Sequence, residues 1–300
     1  MCMLEFNGIT IDSINLFNKY LKSANLKSSN YSFVNLYMWR NYSNIKYAIL
    51  NDALIIMKTE PGEGTFFNQP IGYNKDNLKF IIDAMLEIRD EFSMKYFIKD
   101  GEAAFTEDIK SIYPDTFTIE EDRDCSDYIY ESSKLASLSG KNLRKKKNHY
   151  NNFIKSYNYE VKIITSYIIS DCMEASTNWF ERYALNCDED DCLQCENQAI
   201  HDVLLNFNEL KVQGIAVYVN EKMEAFTIGE RVNNEMAIIH IEKANHSING
   251  LYSFINKTFI EMYYKNVKYI NREEDLGIAG LRKAKLSYRP CKIEMRYILY

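Results

Sequence analysis

Between residues 214 and 243 the chain alternates apolar and polar residues in three runs, 214–219, 223–231 and 235–243. Asn220-Glu-Lys222 separates the first two and Asn233-Asn234 the last two, so the pattern predicts an antiparallel set joined by short Asn-rich turns. After Asn249-Gly250 the period changes. Leu251, Phe254, Ile255, Phe259, Met262 and Tyr263 recur at helical spacing, which predicts an amphipathic helix over 251–265. Residues 267–271 read as a short strand. A strand, a helix and a strand of these lengths make a right-handed crossover with the two strands parallel. A second helix is expected over 277–285; Pro290 cannot continue it, and 293–299 alternates as a final strand.

The same reading runs through the rest of the chain. Residues 11–22 carry Leu16, Phe17, Tyr20 and Leu21 on one side, with Asp12 as N-cap, and 30–40 predict another helix. Strands at 46–50 and 53–58 flank Asn51-Asp52, a two-residue hairpin turn. Residues 76–92 predict a helix through the stripe Leu78, Ile81, Ile82, Met85, Leu86 and Ile88. Strands follow at 95–99, 116–120 and 127–131, the last two around an acidic connector. Helices at 141–157, 170–185 and 196–211 and a strand at 159–164 complete the pattern, with an acidic loop at 188–191.

The order of the last third is that of the GNAT acyltransferase core. His240-Ile-Glu-Lys-Ala244, Gly250-Leu-Tyr252, Ile255-Asn256, the block from Ile270 to Tyr288, Pro290 and Gly140-Lys-Asn-Leu-Arg-Lys-Lys-Lys-Asn-His149 closely resemble the soluble C-terminal domain of phosphatidylglycerol lysyltransferase and its stand-alone relatives. The resemblance covers most of the chain and is weakest before about Asn30. It implies an α/β (α+β) fold of tandem GNAT-like (acyl-CoA N-acyltransferase) domains, each a mixed sheet flanked by helices. The first domain, 1–131, is then a degenerate copy, and the second, 132–300, carries the site. The implied activity is transfer of an aminoacyl group from aminoacyl-tRNA to an amine or hydroxyl, on a small molecule or a lipid; an acyl-CoA-dependent N-acyltransferase and a non-catalytic ligand-binding protein on a GNAT scaffold are the alternatives.

Composition narrows this further. A chain of 300 residues with 46% hydrophobic and 26% charged residues builds cores of ordinary size. A net charge of −6 argues against a general nucleic-acid coat. The longest apolar runs are far below the roughly 20 residues that span a bilayer, so no integral membrane segment is expected. Nor does a charged-then-apolar signal open the chain. The seven cysteines lack a secreted-framework spacing and read as reduced thiols in the cytoplasm. Cys187, Cys192 and Cys195 resemble part of a metal pattern, but no fourth ligand is evident, so none is assigned.

The crossover decides where chemistry belongs, because ligands on open sheets bind beyond the C-terminal ends of parallel strands. Glu242, Lys243, Asn271, Arg272, Glu273, Glu274 and Asp275 are expected to gather there, with His240 and Glu242 on one strand face. A carboxylate of Glu242, Glu273 or Asp275, with Asn271 beside it, would deprotonate an attacking amine; a structural salt-bridge cluster is the other reading. Asn249 and Gly250 open the crossover helix, where exposed amides bind phosphate. Coenzyme-A-dependent relatives carry Arg or Gln three residues before this Gly and Gly or Ala two after. Here those places hold Ser247 and Tyr252, so coenzyme A is carried as an alternative donor only. Arg282 and Lys285 lie three apart on one helix side and point to the same mouth, with Tyr288 closing the turn. Lys141, Arg144, Lys145, Lys146 and Lys147 form a local basic site in an acidic chain, read as a contact for tRNA or another polyphosphate or as a solvated face.

Overall fold

The structure is a computed structural model that describes residues 4–184 and 191–300, with the side chains of 182–193 outside that description. The chain divides into two compact units. The first comprises residues 1–127, 274–277 and 294–300; the second comprises 128–273 and 278–293. The division therefore differs from a single cut at 131/132, because two late segments return to the first unit.

The first unit contains β1 (Asn7–Gly8), α1 (Ile14–Ala24), α2 (Phe33–Trp39), β2 (Lys46–Leu50), β3 (Ala53–Glu60), β4 (Gly64–Phe67), α3 (Leu78–Phe92), β5 (Ile98–Gly101), α4 (Ala103–Ile112) and most of β6 (Ile119–Glu131). The β2–β3 turn has Asn51 at φ 47° and Asp52 at φ 62°. Two left-handed residues in sequence give the twist that closes a two-residue hairpin, and Asn and Asp tolerate that region. β4 is antiparallel to β3 and parallel to β5, with α3 as the crossover. The apolar stripe of α3 packs with Phe67, Phe97 and Ile98 into one core.

The second unit contains α5 (Ser132–Ser137), α6 (Arg144–Ser156), β7 (Tyr159–Ile163), α7 (Ile169–Ala184), α8 (Asp191–Leu205), β8 (Gln213–Val219), β9 (Lys222–Arg231), β10 (Met236–Ala244), α9 (Leu251–Phe259), β11 (Tyr269–Asn271) and α10 (Ala279–Leu286). β7 to β10 are antiparallel neighbours, and β10 is parallel to β11 across the crossover helix α9. A π-turn, Ile260–Tyr264, prolongs α9. The last strand, β12 (Lys292–Leu299), lies mostly in the first unit and pairs antiparallel with β5.

Several expectations need correction. The strands sought at 116–120 and 127–131 are one strand, β6. Its acidic first half stays at exposed or half-buried positions, so its charges do not interrupt pairing. The helix α4 was not expected, although Phe105 and Ile109, four apart, are its buried face. The helix expected from Glu196 starts at Asp191 and ends at Leu205, and most of the acidic loop before it lies outside the described residues. Asp12 does not cap a helix: a 3-10 turn, Ile11–Ser13, precedes α1, and Ser13 Oγ accepts from Thr10 N–H at 3.2 Å.

In the first unit a buried ion network spans five parts of the chain. Arg296 is 1% exposed and binds Asp127, Asp100 (3.3 Å) and Glu274 (3.1 Å), while Lys58 binds Asp100 at 3.2 Å. Burial alone would raise the Asp100 carboxyl, but Lys58 and Arg296 outweigh it and hold it down to about 2. Removing Asp127 takes a buried acceptor from the Arg296 guanidinium and from the Ser29 N–H in a dry core. Asp127→Ala is therefore expected to cost about 3 kcal/mol of unfolding free energy, read from urea midpoints at constant m; a loss below about 1 kcal/mol would contradict the assignment.

Candidate functional site

The parallel pair β10–β11 is short. Met236, Ala237 and Ile238 stand opposite Tyr269, Ile270 and Asn271, after which β11 ends while β10 runs on to Ala244. Along β10, Ile239 faces Gly229 and Ile241 faces Ile228, so His240 is an extra residue, a β-bulge. The bulge switches the alternation. Ala237 and Ile239 belong to the core packed by α9, and so does Ala244, an odd number of residues later. Glu242 falls on this same face, and its Oε2 accepts from Asn256 Nδ2 of α9 at 2.7 Å.

His240 goes the other way. It bonds Glu230 (3.1 Å), whose strand partner is Ile238, and Glu273 (2.9 Å). The expectation that His240 and Glu242 share a strand face is thus corrected: the bulge separates them. Desolvation works against a charged imidazole, yet the two carboxylates win and raise its pKa to about 9. His240 is an ionic clamp between two chain segments.

Glu242 and Arg272 form the other cluster. Arg272 Nη2 donates to Glu242 Oε1 at 2.8 Å, with the side chains 13% and 11% exposed. The Arg272 guanidinium lies 4.7 Å from the ring centre of Tyr288 and 5.7 Å from that of Tyr130. Lys285 donates to the Arg272 carbonyl. Lys146 Nζ sits 4.0 Å from the Tyr288 ring centre, so one aromatic ring carries two cations. Burial first, and Arg272 second, lower the Lys146 pKa to about 8. Two buried atoms here lack a hydrogen-bond partner among the described residues: Arg272 Nη1, a donor, and Asn256 Oδ1, an acceptor. Such groups carry a desolvation cost unless something pairs with them.

The remaining expected residues fall elsewhere. Asn271 is fully buried and its Oδ1 accepts from Glu273 N–H at 2.7 Å, which shapes the turn after β11. Glu274 and Asp275 belong to the first unit and not to the Glu242 cluster. There Glu274 binds Arg296, and the fully buried Asp275 binds Arg123 (3.5 Å) and the Gly277 N–H (2.9 Å). Lys243 pairs with Glu196 at 2.6 Å. Arg282 is half-buried on α10. Cys187 and the Cys192 side chain lie outside the described residues; Cys195 is a half-buried free thiol.

Gly250 does not open the α9 N-terminus to a ligand. It has φ +87°, and a Cβ there would stand 2.2 Å from the His149 carbonyl oxygen. Helix α6 lies on it, Asn249 Oδ1 meets His149 Nδ1 at 3.2 Å, and Tyr252 is 40% exposed. A pyrophosphate approaching the Gly250 backbone would meet α6, so these residues do not fit coenzyme A bound in that manner. In the basic run, Lys141, Arg144, Lys145 and Lys147 are exposed and Lys146 alone turns inward. Lys146 stands four and seven residues before Tyr150 and Phe153, which pack against Phe254. That spacing was the available signal for Lys146. For Asn256 it was an amide lodged in the apolar stripe of α9.

Comparison with known proteins places this geometry in a family context. Residues 22–300 match the family described as phosphatidylglycerol lysyltransferase, C-terminal. A conserved protein of unknown function from Bacteroides thetaiotaomicron is 35% identical, covers 99% of both chains and superposes with a TM-score of 0.91. L-PGS from Bacillus licheniformis is 14% identical, covering 95% of this chain and 91% of its own, with a TM-score of 0.62. FemX is 11% identical over 98% and 97% of the two chains, with a TM-score of 0.60. The last two show the fold, which is a tandem GNAT-like one: antiparallel strands, crossover helix and parallel strand occur once in each unit. No helix of the described residues is long and apolar enough to cross a membrane.

The His240 clamp makes a pH prediction. A folded pKa of about 9, above the unfolded value near 6.5, means that its contribution is complete below pH 6.5 and lost as pH rises through about 9. Unfolding free energy measured across that window is expected to fall in the parent relative to His240→Gln by on the order of 3 kcal/mol, a difference in which the opposite slope from Lys146 cancels. Equal slopes would remove the clamp from the account.

Proposed function

The chain belongs to the phosphatidylglycerol lysyltransferase C-terminal family, and from that premise we propose that it is an aminoacyltransferase moving an aminoacyl ester from tRNA to an amine or hydroxyl. The observation that carries this reading is the orphaned donor and acceptor on either side of Glu242, Arg272 Nη1 and Asn256 Oδ1. An aminoacyl ester presents both complements. Its carbonyl oxygen accepts from Arg272, and its α-ammonium donates to Asn256.

The chemistry then needs positioning, charge stabilisation and a proton acceptor. The acceptor nitrogen or oxygen attacks the ester carbonyl carbon. A carbon–nitrogen or carbon–oxygen bond forms, and negative charge collects on the carbonyl oxygen beside Arg272. The nucleophile's proton passes to neutral Lys146, and from there to the ribose oxygen as the ester bond breaks. Lys146 suits the task because its lowered pKa leaves a sizeable neutral fraction near pH 8. Glu242 has both oxygens engaged, one by Arg272 and one by Asn256, so its role is to orient them rather than to act as the base. Exposed Arg144, Lys145 and Lys147 supply sequence-independent phosphate contacts. On this reading the protein works in the cytoplasm, where charged tRNA is made and its thiols stay reduced. The acceptor is a small molecule or a lipid headgroup.

Incubation of the protein with charged tRNA and panels of amines and hydroxyl compounds, followed by mass spectrometry, tests the proposal. Transfer is expected to rise with pH through about 8 and to drop by about 100-fold or more in Lys146→Met. Arg272→Lys is expected to lower turnover more than donor affinity, since it removes the fork that meets the developing charge. A Lys146→Met protein with the parent's rate and pH profile would eliminate Lys146 as the proton acceptor. Absence of transfer to any acceptor, with intact charged tRNA recovered, would sink the aminoacyltransferase reading.

A further inference from the structure

The second unit holds a cavity of about 350 Å³ that the reaction described above does not use. Tyr130 and Tyr288, both buried, form part of its lining. Lys134, Lys141 and Arg289, all exposed, line it from the solvent side, against Glu131 as the opposing carboxylate. Ser139 and Asn142 add neutral hydrogen-bonding groups. The volume lies within the roughly 300–1,000 Å³ that small-molecule sites occupy. The surplus of cations selects an anion, and Arg289 and two lysines suit a phosphate ester.

Two features say which phosphate ester. Tyr288 is shared: it lines the cavity, and its ring also carries Arg272 and Lys146. The cavity therefore adjoins the cluster where the ester carbonyl is placed. It also opens where the basic run begins, at Lys141, and exposed Arg144, Lys145 and Lys147 continue the positive surface beyond it. A ligand whose phosphates continue past the cavity fits such a track better than a compact headgroup does.

We propose that this cavity seats the terminal nucleotide of the acyl donor, with its phosphate against Lys141 and Arg289. The proposal rests on the aminoacyl-ester reading for the identity of the donor, and its test is separable from that reading. Cys291 lines the same cavity with an exposed thiol, which makes it a reporter. Burial and then Glu131 push this thiol up, so alkylation is run at mildly alkaline pH.

The experiment measures iodoacetamide labelling of Cys291 by peptide mass spectrometry, with adenosine 5′-monophosphate, adenosine, glycerol phosphate or inorganic phosphate present. Adenosine 5′-monophosphate is expected to slow labelling at least fivefold in the parent and not in Lys141→Glu/Arg289→Glu. Both positions are exposed, so the double variant is expected to keep the parent's melting temperature; Lys134→Glu serves as the second variant, with partial loss of protection. Protection by glycerol phosphate but not by the nucleotide would overturn the proposal in favour of a headgroup site. Equal protection by inorganic phosphate, or undiminished protection in the double variant, would also overturn it. Nucleotide protection that the double variant abolishes, in a protein that transfers no aminoacyl group, upholds the cavity and defeats the donor reading alone. Transfer by the parent that is unchanged in the double variant leaves the donor reading intact and removes the cavity from it.

Discussion

Glu242 and Arg272 are two charges held largely out of water, and the second unit is arranged so that they meet. A buried pair is stabilising only when geometry is good and the remaining lone pairs and N–H groups are used. Several local features supply that geometry. The bulge at His240 turns Glu242 onto the α9 face, where Asn256 fixes its second oxygen. Asn271 caps the Glu273 N–H, and Glu273 takes a left-handed φ of 57°, so the chain reverses directly after Arg272. Lys285 holds the Arg272 carbonyl, and Tyr288 offers its ring to the guanidinium. What these supports leave open is the Nη1 amino group of Arg272 and the side-chain carbonyl of Asn256, a donor and an acceptor that a bound ester would use.

Much of this architecture was legible in the residues. Leu251, Phe254, Ile255 and Phe259 mark the crossover helix by spacing alone, and Asn51-Asp52 marks its hairpin, because both signals are local. The bulge was not legible. Ile239, His240 and Ile241 alternate in polarity as a regular strand would, and the extra residue shows only when the partner strand fixes the register. For the same reason Glu274 and Asp275 were grouped with Glu242, although neighbours from the first unit claim them. Gly250 resembled a phosphate-binding turn; a close approach by the backbone of α6 is what requires glycine there.

The two units repeat one order of elements and use it differently. In the first, the charged residues near the crossover end in a closed network in which Lys58 and Arg296 meet Asp100, Asp127 and Glu274. In the second, Lys146 and Arg272 share a ring and, among the described residues, the carboxylate of Glu242. Excess positive charge beside a partly closed pocket is costly without a ligand, and it raises affinity for an anion or an oxyanion when one arrives. No residue-level repeat announces this relation between the units, because α3 and α9 share a role in the topology rather than a sequence.

The claim that the Glu242–Arg272 pair organises the site is tested most directly by a double-mutant cycle on stability with Glu242→Gln, Arg272→Met and the double variant. The account predicts a coupling of about 1–3 kcal/mol, because each single change strands its partner. Additive effects, with coupling near zero, would show that the two side chains do not depend on each other and would contradict the account.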